Sequence, residues 1–377
     1  MIKEERVFFT GINGLRFIAA LSVIITHIEL LKGVSNFKSY WKNPLIFNMG
    51  GLGVYFFFVL SGFLITYLLL EEEKQTQTIL IKAFYIRRIL RIWPLYFLIV
   101  VLGFFVYPKI SLFNVGELSG LVANNIGIKL LLFICFLPNV ALALFPAIPY
   151  AAQTWSVGIE EQFYVIWPVL IKYIKQKQLL LYVIISGYVF MNIFGFEFIK
   201  THLYYDDIID TMASIWSGFS IDCMAIGGLF ALYLHKKSTV IILLFNVYLQ
   251  WITVITLCVF IGFGIKIPYI HYECYAVLFG IVIVNLAANP NVIFKLENKI
   301  FNYLGKISYG LYMYHPLAIV LALKGLVYFN INSIVLQYLF SIAIAILIAG
   351  LSYQFFEKYF ISKKTKYSKI ISGDNAL

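Results

Sequence analysis

The sequence predicts an all-α integral membrane protein, a polytopic bundle of about ten transmembrane helices. Hydrophobic residues make up 62% of the 377 residues and charged residues only 12%, and the mean hydropathy is +0.88. Soluble domains have roughly 25% charged residues, so this composition excludes an ordinary soluble enzyme. The apolar residues are also grouped into stretches of about the length that crosses a bilayer as a helix.

Ten such stretches are the candidate spans, and they leave no room for a separate soluble domain. They cover residues 11–31, 50–70, 84–107, 155–173, 179–197, 212–234, 240–262, 269–288, 306–323 and 334–356. The loop 107–154 contains one more apolar run, 130–137, which is too short to span and is expected to be re-entrant or interfacial. We expect residues 1–360 to form the membrane domain and residues 361–377 a basic, mobile cytoplasmic tail.

The distribution of basic residues predicts the orientation of the spans. With the N-terminus in the cytoplasm, the cytoplasmic segments hold more than twice as many lysines and arginines as the outer segments. The positive-inside rule therefore places both termini in the cytoplasm. The net charge of +11 follows from this topology and does not indicate a nucleic-acid partner. The four cysteines are scattered without a Cys-x-x-Cys pair, so neither a disulfide nor a metal site is expected.

The first span, GINGLRFIAALSVIITHIELL, contains Arg16 and His27. Ionisable side chains are costly at membrane depth, so both residues are candidates for function. Their spacing leaves about 20° of rotation between them, which places them on one helix face, roughly 16 Å apart along the axis. A structural interpretation also remains open, in which Arg16 reaches the lipid headgroups and His27 is a hydrogen-bonded core residue.

Two further motifs place charged residues at the ends of spans. Arg88 and Arg91 share a helix face at the predicted cytoplasmic surface and suit a phosphate ligand, although arginines there also anchor helices in many membrane proteins. Glu160 and Glu161 begin the fourth span at its predicted outer end. Either the helix dipole stabilises them as carboxylates in the first turn, or one of them turns inward and orients the imidazole of His27.

The remaining polar groups lie within spans. Ser308, Tyr312 and His315 occur at i, i+4 and i+7, and this stripe either lines a cavity or joins helices through hydrogen bonds. Asp222 is a lone carboxylate in a span, so it needs a partner or water. Ser61, next to a glycine, is expected to be a packing residue.

Together these stretches resemble the membrane-bound acyltransferase family 3, whose members include O-acetylases of lipopolysaccharide, peptidoglycan and exopolysaccharide. Five motifs match in the family's order: GLRFIAALSVIITH, FFFVLSGFLIT, RILR, TWSVGIEEQFYVIWP and SYGLYMYHP. Two positions depart from the pattern, because Tyr55 stands where many members have aspartate and Ser220 where many have arginine. Some relatives carry an additional hydrolase-like domain, and this chain, which ends at Leu377, is expected to be a stand-alone membrane form.

The resemblance implies roles for individual residues. His27 would be the catalytic histidine, Arg16 its motif partner and Glu160 the motif carboxylate. Arg88 and Arg91 would contact an acyl-CoA donor, most often acetyl-CoA, from the cytoplasm. The stripe in the ninth span would belong to the same donor site.

The predicted function is O-acyl transfer at a bacterial inner membrane, from acetyl-CoA to a hydroxyl of an extracytoplasmic or lipid-linked saccharide. The expected partners are acyl-CoA, the saccharide and the lipid bilayer, without a metal. His27 would act either as a general base or as a covalent acyl carrier. Two alternatives are a transporter or channel for a small polar or anionic substrate and a structural partner in a polysaccharide export complex.

Overall fold

The fold is given by a computed structural model that describes residues 9–203 and 206–368. The described residues form helices and loops, without a β-strand among them. Seven helical stretches within these ranges are long and apolar enough to cross a membrane. This architecture confirms the all-α membrane fold that the sequence predicts.

The α-helices are numbered in chain order. They are α1 (Ile12–Leu31), α2 (Pro44–Thr76), α3 (Ile81–Val101), α4 (Glu117–Gly120), α5 (Ile126–Ile134), α6 (Pro138–Leu144), α7 (Thr154–Tyr173), α8 (Lys177–Phe190), α9 (Phe196–Leu203), α10 (Asp206–Phe219), α11 (Ile221–His235), α12 (Thr239–Leu244), α13 (Val247–Gly262), α14 (His271–Ala288), α15 (Lys299–Lys306), α16 (Ser308–Tyr328), α17 (Ile334–Ser352) and α18 (Lys358–Lys363). The segments with π-helical geometry are Leu102–Val106, Met191–Gly195 and Tyr353–Glu357, which continue α3, α8 and α17. Short 3₁₀-helices occupy Lys32–Ser35, Tyr107–Lys109, Ser111–Phe113 and Lys364–Tyr367.

Seven of the ten predicted spans coincide with the long apolar stretches. The other three fall on α7, which contains Glu160 and Glu161, and on the shorter apolar helices α11 and α13. These three helices are less apolar or shorter than a typical span, so the count of ten remains a prediction.

Two of the predicted spans are not continuous helices. The stretch 212–234 is divided at Ser220, whose φ of 43° is left-handed and ends α10 before α11 begins. The stretch 240–262 is divided at Asn246, whose side chain accepts hydrogen bonds from the backbone N–H groups of Tyr248 and Leu249 and so caps α13. Hydropathy measures the cost of transfer from water and does not detect such backbone turns.

Helix α2 packs at the centre of the bundle, against α1, α7, α11 and α14. Helices α2 and α11 cross closely because a glycine on each helix faces the backbone of the other helix. A methyl group at Gly62 would come within 1.9 Å of the carbonyl oxygen of Met224, and one at Gly227 within 2.0 Å of the carbonyl oxygen of Val59. Small residues allow membrane helices to approach in this way. The α2–α11 pair therefore fixes the position of the α2 face that lines the site.

The end of the described chain differs from the predicted mobile tail. Residues Lys358–Tyr367 are helical and pack against α3. Arg87 Nη1 in α3 donates a hydrogen bond to the backbone carbonyl of Tyr367 at 2.8 Å. The remainder of the predicted tail, from residue 369, lies outside the described residues, as does the start of the chain before residue 9.

Candidate active site

A cavity lies among α1, α2, α3, α7 and α16. Each of these helices contributes polar groups to its wall, and between them the wall is apolar. The polar and aromatic hydroxyl residues of the lining are Arg16, Ser61, Arg88, Arg91, Ser156, Glu160, Tyr164, Ser308, Tyr309 and Tyr312. Six of the eight site residues that the sequence predicts are thus brought into one cavity from four different helices.

Arginines form a positively charged part of this cavity. The guanidinium group of Arg88 lies 5.4 Å from the ring centres of both Phe84 and Tyr164. Its Nε atom is buried and has no hydrogen-bond partner among the described residues. Within the described chain, no carboxylate oxygen lies within 4.0 Å of Arg88 or Arg91. These guanidinium groups are therefore available to bind an anionic ligand.

The two adjacent glutamates lie in the second turn of α7, so the prediction that they are first-turn carboxylates is wrong, and they have different surroundings. Glu160 lines the cavity, where its Oε2 accepts a hydrogen bond from the Tyr164 hydroxyl at 2.6 Å. The same hydroxyl lies 3.2 Å from Ser61 Oγ, so Ser61 is part of the cavity wall as well as of the helix packing. Glu161 accepts a hydrogen bond from Trp93 Nε1 at 2.9 Å. Of the two carboxylates, Glu160 is the one that faces a ligand site.

His27 and His315 form a pair, with ring centres 4.7 Å apart and ring planes inclined by 64°. His27 Nδ1 lies 2.9 Å from the Val23 carbonyl oxygen, and His315 Nδ1 lies 2.6 Å from the Tyr312 carbonyl oxygen. A carbonyl oxygen can only accept, so each Nδ1 carries the hydrogen in these bonds and Nε2 is the basic nitrogen of each neutral ring.

The hydrogen bond that orients the His27 imidazole therefore comes from Val23 in the preceding turn, and not from Glu160 as the sequence suggests. The carboxylate of Glu160 is held by Tyr164 instead. His315 is fully buried, and its Nε2 has no hydrogen-bond partner among the described residues. His27 is outside the cavity lining but keeps some exposed surface, whereas His315 has none.

The stripe on α16 connects the cavity with the histidine pair. Ser308 and Tyr312 line the cavity, whereas His315 lies beside His27, with its ring centre 5.7 Å from that of Tyr312. Tyr312 donates a hydrogen bond to the Gln153 carbonyl oxygen at 3.0 Å and lies 2.7 Å from Ser156 Oγ. A row of polar groups on α16 thus leads from the cavity that holds the arginines toward the histidines.

Four polar or hydroxyl residues of the lining were not predicted as site residues from the sequence, namely Ser61, Ser156, Tyr164 and Tyr309. Tyr164 follows Glu160 by four positions, and this spacing could have placed it on the same face of α7. Tyr309 donates a hydrogen bond to the Ile92 carbonyl oxygen at 3.0 Å and closes the wall between α3 and α16. The second contact joins helices that are far apart in the sequence, so no local pattern indicates it.

Asp222 lies in a separate polar cluster outside the lining of the cavity. It is 1% exposed and interacts with Glu273, whose Oε1 accepts a hydrogen bond from Asn192 Nδ2 at 2.9 Å. Tyr55 and Ser220, the two positions that depart from the family pattern, hydrogen-bond to each other beside this cluster. The two departures from the family pattern therefore lie side by side in the structure.

The comparison with protein families adds to this geometry. Residues 9–354 match the family described as "Acyltransferase domain". The chain belongs to this acyltransferase family. The match covers nearly all of the membrane region and confirms the resemblance that rests on the five motifs. The protein is therefore a multi-pass member of a family of acyl-transferring enzymes.

Curated relatives carry related names. Peptidoglycan O-acetyltransferase OatA of Listeria monocytogenes is 28% identical over 380 residues, which cover 94% of this chain and 56% of the relative. O-acetyltransferase OatA of Staphylococcus aureus is 27% identical over 373 residues, which cover 93% of this chain and 57% of the relative. The chain thus spans a little over half the length of these relatives. No solved structure matches the chain.

Proposed function

We propose that the protein is an O-acetyltransferase of a bacterial inner membrane, with both termini in the cytoplasm. It transfers an acetyl group from cytoplasmic acetyl-CoA to a hydroxyl of an extracytoplasmic or lipid-linked saccharide. The observation that carries the proposal is the row of polar groups on α16 that leads from the cavity with the arginines toward His27. The names of the two relatives, both O-acetyltransferases, support the choice of the acetyl group.

The arginine part of the cavity suits the phosphates of CoA. Arg16 comes from α1, and Arg88 and Arg91 come from α3. Guanidinium groups form bidentate hydrogen bonds with phosphate oxygens, and the unpartnered Nε of Arg88 offers a further donor. The positive-inside rule places these residues on the cytoplasmic side, where CoA is present.

The chemical step uses His27 Nε2, because Nδ1 is engaged with the Val23 carbonyl oxygen. In direct transfer, Nε2 accepts the proton of the acceptor hydroxyl while the hydroxyl oxygen attacks the thioester carbonyl carbon. The C–S bond breaks, an ester forms, and the CoA sulfur takes the proton from His27. In the alternative, Nε2 itself attacks the thioester carbonyl carbon, the C–S bond breaks, and CoA leaves as a thiolate. The acceptor hydroxyl then takes the acetyl group from the acetyl-imidazole, its proton neutralises the thiolate, and His27 is restored.

The binding of CoA to the purified protein in detergent tests the donor assignment. We expect saturable binding that weakens at least tenfold in Arg88→Ala and Arg91→Ala, because each change removes a charge-assisted contact. Lys82→Ala is the matched control, since Lys82 is exposed on the same helix. A transporter of another substrate would show no CoA binding, and this result would contradict the proposal.

Incubation with radiolabelled acetyl-CoA without an acceptor distinguishes the two mechanisms. Label on the wild-type protein that is lost in His27→Ala would support the acetyl-imidazole route. A protein that transfers acetyl groups to an acceptor but acquires no label would support direct transfer.

A further inference from the structure

The segment that follows α17 packs beside the part of α3 that carries arginines. Residues Lys358–Tyr367 pack against α3, and Arg87 fixes the end of the segment through its 2.8 Å hydrogen bond to the carbonyl of Tyr367. Arg87 also forms an ion pair with Glu72 of α2 at 3.0 Å. Arg87 therefore has a structural role, because it ties the segment to both α2 and α3.

This segment contains one buried lysine between exposed ones. Lys364 is 7% exposed, whereas Lys363 and Lys366 are exposed. The charged groups with the largest influence on Lys364 are cationic, namely Arg91, Arg88, Arg87 and Arg16. Within the described residues, no carboxylate oxygen lies within 4.0 Å of its ammonium group.

Each carboxylate of this region accepts a hydrogen bond from another side chain, although Oε1 of Glu161 is buried without a partner among the described residues. The pairs are Glu72 with Arg87, Glu160 with Tyr164, Glu161 with Trp93, and Glu357 with Ser352. A buried ammonium group among guanidinium groups is unfavourable unless an anion compensates the charge. Three of these arginines line the cavity, and the segment that carries Lys364 packs against α3, the helix of Arg88 and Arg91.

We propose that residues 358–367 form the cytoplasmic cover of the donor cavity and that Lys364 binds a phosphate group of the acyl-CoA. The inference rests on the proposed function, because it concerns the same cavity and the same donor. A phosphate of an anionic lipid has the same chemistry as a CoA phosphate, and the experiment separates the two sources. Lys364 adds a fourth cation to the three arginines. Such a cluster suits a donor that carries several phosphates.

The test measures the affinity of the full-length protein for CoA in nanodiscs of phosphatidylcholine, by isothermal titration calorimetry. We expect Lys364→Met to weaken CoA binding about tenfold, since a hydrogen bond to a charged group is lost. Lys364→Arg keeps the charge and should bind within about twofold of the wild type. Lys366→Met is the matched control and should have no effect, because Lys366 is exposed on the same turn.

Equal CoA affinity of Lys364→Met and the wild type would overturn the inference and leave the proposed function intact. A wild-type protein that does not bind CoA would overturn the proposed function itself. A loss of affinity that occurs only in nanodiscs containing phosphatidylglycerol would assign Lys364 to a lipid headgroup and would overturn the CoA contact.

A second measurement on the wild-type protein does not depend on the folding of a variant. Modification of lysines by an amine-reactive acetylating reagent is mapped by mass spectrometry with and without CoA. CoA should protect Lys364 and leave Lys366 unprotected. Equal modification of Lys364 in both samples would contradict the assignment.

Discussion

The hydroxyl of Tyr164 is predicted to keep Glu160 away from the cavity arginines. The 2.6 Å hydrogen bond from Tyr164 to Glu160 has a charged acceptor, a type that contributes about 1.5–3 kcal/mol. Arg88 and Arg16 act on the same carboxylate. Without the hydroxyl, the Glu160 carboxylate is stabilised by pairing with a guanidinium group instead. There it competes with a phosphate of the donor.

Tyr164→Phe tests this role because it removes the hydroxyl but keeps the aromatic ring 5.4 Å from the Arg88 guanidinium. We expect the freed carboxylate to pair with an arginine, with a free energy similar to that of the lost hydrogen bond. CoA must then displace the carboxylate, so CoA affinity should fall about tenfold to a hundredfold. Calorimetry on the purified protein measures the change. The double variant Tyr164→Phe, Glu160→Gln should recover most of the affinity, since the neutral amide does not compete.

Two results would refute this reasoning. CoA affinity unchanged in Tyr164→Phe would show that the hydroxyl does not control the carboxylate. A loss that persists in the double variant would show that the phenol hydroxyl acts on the donor by another route.

Three further predictions concern turnover and stability. His315→Ala should lower turnover at least tenfold with little change in CoA affinity, because His315 packs on His27 outside the cavity lining; equal losses in both would contradict this. Gly62→Ala should cost more than about 3 kcal/mol and lower the thermal unfolding temperature, since the α2–α11 contact leaves no room for a methyl group. Gly325→Ala is its control, with nothing within 4 Å, and equal unfolding temperatures would refute the packing argument. Glu29→Ala should destabilise the protein by about 3–5 kcal/mol in thermal unfolding, because it leaves the buried Lys32 without its ion-pair partner; an unchanged unfolding temperature would show that the pair contributes little.

The sequence predicted the fold class and singled out six residues of the cavity lining, because both depend on strong signals. It did not predict that these residues meet, since it placed Glu160 at the outer end of its span and Arg88 and Arg91 at the cytoplasmic surface. Charged residues are rare in membrane helices, so those that occur, such as Arg16 and Glu160, point to a shared polar interior. Helical spacing placed Ser308 and Tyr312 on one face, and the structure shows that this face lines the cavity.

The parts that could not be predicted depend on backbone turns and on contacts between distant residues. Hydropathy does not reveal that Ser220 adopts a left-handed conformation and divides a helix. The sequence offers a carboxylate as the partner of His27, whereas the structure uses the carbonyl of Val23, an acceptor that every residue has. The packing of the segment around Lys364 against α3 joins regions more than 270 residues apart.

In the proposed mechanism, His27 transfers acetyl groups to a surface saccharide. The most direct test is the O-acetyl content of surface glycans in host strains that express the wild-type protein, His27→Ala or no protein, with equal membrane levels of both forms checked by immunoblot. The account predicts that one acetyl ester is present with the wild type and is lost both in the His27→Ala strain and in the strain without the protein. Full acetylation in the His27→Ala strain would remove His27 from the chemistry and contradict the proposed mechanism.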